Sequence, residues 1–88
     1  MALTSGAVTI GTVATLIDGV SSSNPIHLHL HNNDNTDSLF LGGPSVTTST
    51  GMSLVKLDSF EITLRPGNQI YAVSSKPGHV ISFIKQDF

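Results

Sequence analysis

Eighty-eight residues with a net charge of −2 and no cysteine define one small domain, with neither a disulfide framework nor a thiolate metal site. Charged residues make up 11% of the chain, against roughly 25% in an ordinary soluble domain, and Ser plus Thr take their place at 21 of 88 residues. The four basic residues, Lys56, Arg65, Lys76 and Lys85, are scattered, which excludes a nucleic-acid footprint, and no apolar run nears the roughly 20 residues of a membrane-spanning helix.

The opening MALTSGAVTIG lacks the basic and continuous apolar segments of a signal peptide, so nothing in it points to a secretory route. Residues 1–6 are expected to form a mobile arm, either frayed or able to add a strand to a neighbour's sheet. Ala7 to Ile10 and Val13 to Ile17 read as two short strands, or one strand bent at Gly11. Asp18-Gly19 is a turn signal and Ser21 to Pro25 a polar loop. Ile26 to His31 alternates strictly between apolar and polar residues, as a half-buried strand does. Asn32 to Ser38 has loop composition.

Leu39 to Leu41 is a short strand closed by Gly42-Gly43-Pro44. Val46 to Thr48 and Met52 to Val55 flank a turn at Gly51. Phe60 to Leu64 places Phe60, Ile62 and Leu64 inward, with Glu61 and Thr63 outward. Arg65-Pro66-Gly67-Asn68 turns the chain into Ile70 to Ser74, and Lys76-Pro77-Gly78 turns it into the last strand, Val80 to Lys85. Turn signals every 8 to 12 residues, with no helical periodicity, predict an all-β fold. The expected architecture is a single compact antiparallel sandwich over 1–88, of about seven to eight short strands, Greek-key or jelly-roll-like and built from hairpins. Phe60, Ile62, Leu64, Ile70, Val80 and Phe83 are expected in its core.

His27, His29 and His31 share one face of a strand. Two of them could reach one divalent ion, whereas the third lies too far along a regular strand. The plainer expectation is that they line an outer or subunit-facing surface; around a symmetry axis they would form a cluster that repels itself near pH 6. The loop Asn33-Asp34-Asn35-Thr36-Asp37 offers oxygen ligands but lacks the EF-hand pattern, and it fits a solvated turn. No nucleophile elbow surrounds any serine. Asp58 and Glu61 fall on opposite faces of a regular strand, and Gly42-Gly43 precedes no helix. No catalytic residue, cofactor or firm metal site is therefore expected. Trp is absent, and Phe40, Phe60, Tyr71 and Phe83 sit in apolar runs, which disfavours a sugar-stacking platform.

The run LGGPSVTTSTG from Leu41 to Gly51, followed by Leu54 and FEITLRPGNQIYAVS, resembles small β-sandwich virion proteins of tailed bacteriophages, of the capsid decoration or head-fibre type. VTIGTVATLI and the terminal VISFIKQDF fit the same pattern. The resemblance implies a homotrimeric, non-enzymatic subunit on the outside of the head shell, assembled in the host cytoplasm, that binds the major capsid protein and strengthens the capsid. Many copies of a weak contact gain strength on a lattice. Met1, Ala2, Leu3, Thr4 and Ser5, with Phe88, are the expected partner-binding residues, and deleting Met1 to Ser5 is expected to weaken attachment without unfolding the domain. Two alternatives stand beside this. His27-Leu28-His29 resembles the first metal motif of the cupins, though the glutamate expected after it is missing. A host-surface or carbohydrate-binding virion module would share the same fold.

Overall fold

The computed structural model describes residues 3–19 and 25–87. These form eight strands and no helix: β1 (Leu3–Ile10), β2 (Thr15–Gly19), β3 (Ile26–Asn32), β4 (Leu39–Gly42), β5 (Met52–Leu54), β6 (Ser59–Leu64), β7 (Gln69–Ser74) and β8 (His79–Asp87). One four-stranded sheet runs β1-β8-β3-β6 and the other β2-β7-β4-β5. Every pairing is antiparallel. Only β4 and β5 are neighbours both in sequence and in their sheet; every other connection crosses from one sheet to the other. That is a jelly roll. The turn signals of the sequence thus mostly join strands of opposite sheets rather than hairpin partners.

Two of those turns have the geometry their residues dictate. The Asn68 N–H donates to the Arg65 carbonyl at 3.0 Å, with Pro66 and Gly67 between them and Gly67 at φ +86°. This is a type II turn, in which proline presets the first central residue and glycine accepts the positive φ of the second. Gly78, after Pro77, has φ +72°.

Alternation builds the core. From the first sheet Ile10, Ile26, Leu28, Leu30, Leu64 and Ile81 point inward; from the second come Ile17, Leu39, Leu41, Leu54, Ile70 and Ala72. Each fully buried Leu or Ile contributes about 1.5–3 kcal/mol relative to exposure. Val8, Phe60, Ile62 and Phe83 pack half-buried against this cluster. A smaller apolar cluster lies outside the second sheet, where Val46, buried in the loop after β4, meets Gly42 and Gly51.

Several expectations are corrected. Leu3 to Gly6 are no mobile arm, because they pair with Gln86, Lys85, Ile84 and Phe83 of β8. Asp18-Gly19 is not a turn but the end of β2, where the register shifts between Leu16 and Asp18. That bulge adds one unpaired residue, Ile17, which is buried in the core. Val46 to Thr48 is no strand. The Thr47 hydroxyl bonds the Ser49 and Thr50 amides at 3.2 Å each, and the Thr47 amide bonds the Thr50 hydroxyl at 3.0 Å, so side chains reinforce a tight turn that the Thr50 and Gly51 amides also close on the Thr47 carbonyl. Val80 is not core: it is 36% exposed, while Ile81 is fully buried. Val80 and Phe83 stand an odd number of residues apart and cannot share one face of a regular strand.

Candidate assembly surface

The outer face of the first sheet follows from its register. Reading across β1, β8, β3 and β6, Leu3, Gln86, His27 and Thr63 form one row; Ser5, Ile84, His29 and Glu61 the next; Ala7, Ser82, His31 and Ser59 a third. Glu61 is the only carboxylate in these rows, and they contain no Lys or Arg. Leu3 at 67% and Ile84 at 42% exposure add apolar area. Such a face can meet another protein surface with little ionic desolvation.

All three histidines lie on it, while Leu28 and Leu30 between them fill the core. A metal set directed into the interior of the sandwich is therefore not formed by them. His27 Nε2 lies 3.3 Å from Glu61 Oε2, and Nδ1 lies 3.0 Å from the Thr63 hydroxyl. Since a carboxylate only accepts, this network assigns the proton to Nε2 and makes Nδ1 the acceptor of the Thr63 O–H. His29 Nδ1 is 3.9 Å from the same carboxylate oxygen. His31 Nδ1 donates to Asn33 Oδ1 at 2.7 Å. The three rings thus take separate partners, and no group of three His, Asp or Glu among the described residues is placed to hold a metal ion.

β1 carries Leu3, Thr4 and Ser5 of the expected contact. It lies at the edge of its sheet, and its sequence LTSGAVTI contains no charge and no proline. Its eight pairs with β8 run without a register break. In an antiparallel edge strand every second residue turns both N–H and C=O away from the sheet, so about eight backbone groups face outward here. Bulges, charges and short length are the usual protections of an edge. β2 has the bulge, β5 has only three residues and β6 carries Glu61; β1 has none of these. Leu3, Thr4 and Ser5, expected to bind a partner, therefore sit on the one unprotected edge. Met1, Ala2 and Phe88 lie outside the described residues.

A concavity of about 320 Å³ opens between the sheets beside β6 and is lined by Leu41, Met52, Phe60, Ile62, Leu64 and Ile70, with Asn68 and Gln69 on its polar side. None of these side chains is ionisable, so the groove offers no acid, base or nucleophile. The 33–37 loop is a hydrogen-bonded turn whose two carboxylates share one lysine. Asp34 Oδ1 accepts from the Thr36 amide (2.7 Å), the Thr36 hydroxyl (2.6 Å) and the Asp37 amide (3.1 Å), and Lys76 Nζ pairs with both Asp34 and Asp37. Lys76, then Thr36, hold the Asp34 carboxyl well below the usual carboxylate range.

Sequence reasoning missed one group. Asn32, Ser74 and His79 are buried and hydrogen-bonded in series, His79 to Ser74 Oγ at 2.9 Å and to Asn32 Oδ1 at 2.7 Å. The residue types suggest a hydrolase triad, but Ser74 is only 1% exposed and no substrate carbonyl can reach its hydroxyl. Parity was the available signal: Asn32 continues the inward series Ile26, Leu28, Leu30, and His79 precedes Ile81 by two.

No protein-family model matches the chain, and no curated protein matches it in sequence. Among solved structures it is similar to a protein of Bacillus endospore appendages, described as a novel family of disulfide-linked pili. The TM-score is 0.64 at 12% sequence identity, covering 99% of this chain and 86% of that one. At that identity the two share a fold, and these 88 residues contain no cysteine with which to form a disulfide.

Proposed function

We propose that this chain is a non-enzymatic structural subunit that works in many copies, as a capsid decoration protein on the outside of a tailed-phage head. In this reading it forms a homotrimer, binds the major capsid protein and reinforces the shell. The observation that carries the reading is the uncharged, unbroken edge of β1 beside an outer sheet face with a single carboxylate. A free edge and a charge-poor face favour docking against another protein, and the groove has no ionisable lining with which to catalyse a reaction. The resemblance of Leu41 to Ser74 to phage virion proteins adds the virion setting.

A second reading is favoured by the fold likeness to an endospore appendage protein: the same edge would join copies head to tail into an open filament. A contact that closes on itself gives a ring, and one that does not close gives a fibre. Light scattering across a concentration series, followed by electron microscopy of the same sample, separates the two. Discrete trimers that co-sediment with capsid shells are expected for the decoration role. Filaments would overturn it in favour of the appendage role, and monomers throughout would contradict both.

A further inference from the structure

At one end of the sandwich the buried polar group ties five segments together. Asn32 Nδ2 shares its protons among the carbonyls of Asp37 (3.1 Å), Leu54 (3.0 Å) and Val55 (3.2 Å). Its Oδ1 accepts from the Asp34 amide at 3.0 Å and from His79 Nε2 at 2.7 Å. Because Oδ1 can only accept, Nε2 carries a proton, and in the neutral ring Nδ1 must be the acceptor. It takes the Ser74 hydroxyl proton, and Ser74 Oγ accepts in turn from the Lys76 amide at 3.2 Å. Every donor has an acceptor, and no side-chain polar atom buried among the described residues lacks a partner.

We infer that His79 is an acid-sensitive latch: neutral, it binds the 33–38 loop and the 75–78 turn to the end of the sandwich, and protonated it releases them. A second proton reverses the Nδ1 bond. Ser74 Oγ then has to accept from both the ring and the Lys76 amide, its own hydroxyl proton loses its acceptor, and a charge sits in a fully buried ring. Of the ionisable groups that act on the ring, Asp34 and Asp37 of the loop favour the charge and Lys76 of the turn opposes it. Burial outweighs them and lowers the affinity of His79 for a proton. β1 and β5 carry no ionisable side chain, and β3 and β7 meet the ring through the side chains of Asn32 and Ser74. The amides that report on the latch, Asp34 and Lys76, bond directly to Asn32 Oδ1 and Ser74 Oγ. The inference concerns the single chain and stands independently of how copies assemble.

Hydrogen exchange at about pH 7.5 and about pH 5, corrected for intrinsic rates, tests it on either side of the ordinary histidine value of about 6.5. Protection of the Asp34 and Lys76 amides is expected to fall about tenfold or more in acid, while Leu28 and Leu30 stay protected. A variant with His27, His29 and His31 all changed to Gln should keep that response. His79→Gln should abolish the pH dependence and leave protection low throughout. As a readout that needs no variant, an NMR titration of the wild-type His79 ring should place its midpoint below the pH at which protection begins to fall. The latch is overturned if His79 titrates without opening these segments, if the end and the core lose protection together, or if the triple variant abolishes the response.

Discussion

Glycine 51 shows how narrowly one position can be set. A Cβ there would stand 2.7 Å from Phe40 Cβ and 2.8 Å from Val46 Cγ2, whereas at Gly43 it would meet nothing within 4 Å. Gly51→Ala should therefore cost about 1–3 kcal/mol in denaturant unfolding, and Gly43→Ala should leave stability within about 0.5 kcal/mol. Leu57 is the complementary case. It is exposed and holds φ +57°, a left-handed conformation that costs a branched side chain about 1–2 kcal/mol. Leu57→Asn should raise the melting temperature, since Asn tolerates that region. Neither feature was legible from residue type. Gly42-Gly43-Pro44 and Thr50-Gly51 read only as turns, and the need for hydrogen in place of Cβ arises from where Val46 folds back. Glu61 and Thr63, by contrast, were correctly placed outward by alternation, yet their pairing with His27 depends on the β3–β6 register, which no local signal specifies.

Within elements, parity decides burial. β3 and β6 alternate as their sequences predict, because a half-buried strand must keep polar residues on one face. In β8 the sequence reading differs from the structure in its bounds, His79–Asp87 rather than Val80 to Lys85, and in grouping Val80 with Phe83, although Ile81 and Phe83 are the pair with matching parity. Leu30→Ala, at a fully buried position, should cost about 2–5 kcal/mol. Val80→Ser, on the outer face, should cost well under about 1 kcal/mol. A reversed order in equilibrium unfolding would show that the register of β8 is shifted. The loop after β4 escaped sequence reasoning for a different reason: Val46, Thr47 and Thr48 have β-type composition, but the hydroxyls of Thr47 and Thr50 close on neighbouring amides before any strand can form. The first residues were also harder to read than the rest. Leu3 to Gly6 have no hydrophobic run to mark them, and their pairing with β8 is a long-range contact between chain ends.

For the whole molecule, eight short aliphatic-cored strands make a jelly roll whose polar end is sensitive to acid. His79 is held below its ordinary value by burial, so its unfolded form binds a proton first. Its contribution to stability is complete above about pH 6.5 and is lost as pH falls toward the folded value. Asp34 is held below its ordinary value by Lys76, so its contribution is complete above about pH 4 and is lost on further acidification. Thermal melts should thus show a decline beginning near the histidine range and steepening in the carboxylate range. A melting temperature constant from about pH 7 to about pH 5 would contradict the burial of His79.

We propose that β1 joins copies of this chain, and native mass spectrometry of the wild type beside the Ser5→Lys, Ala7→Lys double variant decides it. Both substitutions fall on the outer face of the edge strand and leave the core untouched, so the variant should keep the parent's melting temperature. A trimer is expected for the wild type and a monomer for the variant. A wild type that remains monomeric at every concentration, or a variant that still forms trimers, would contradict it.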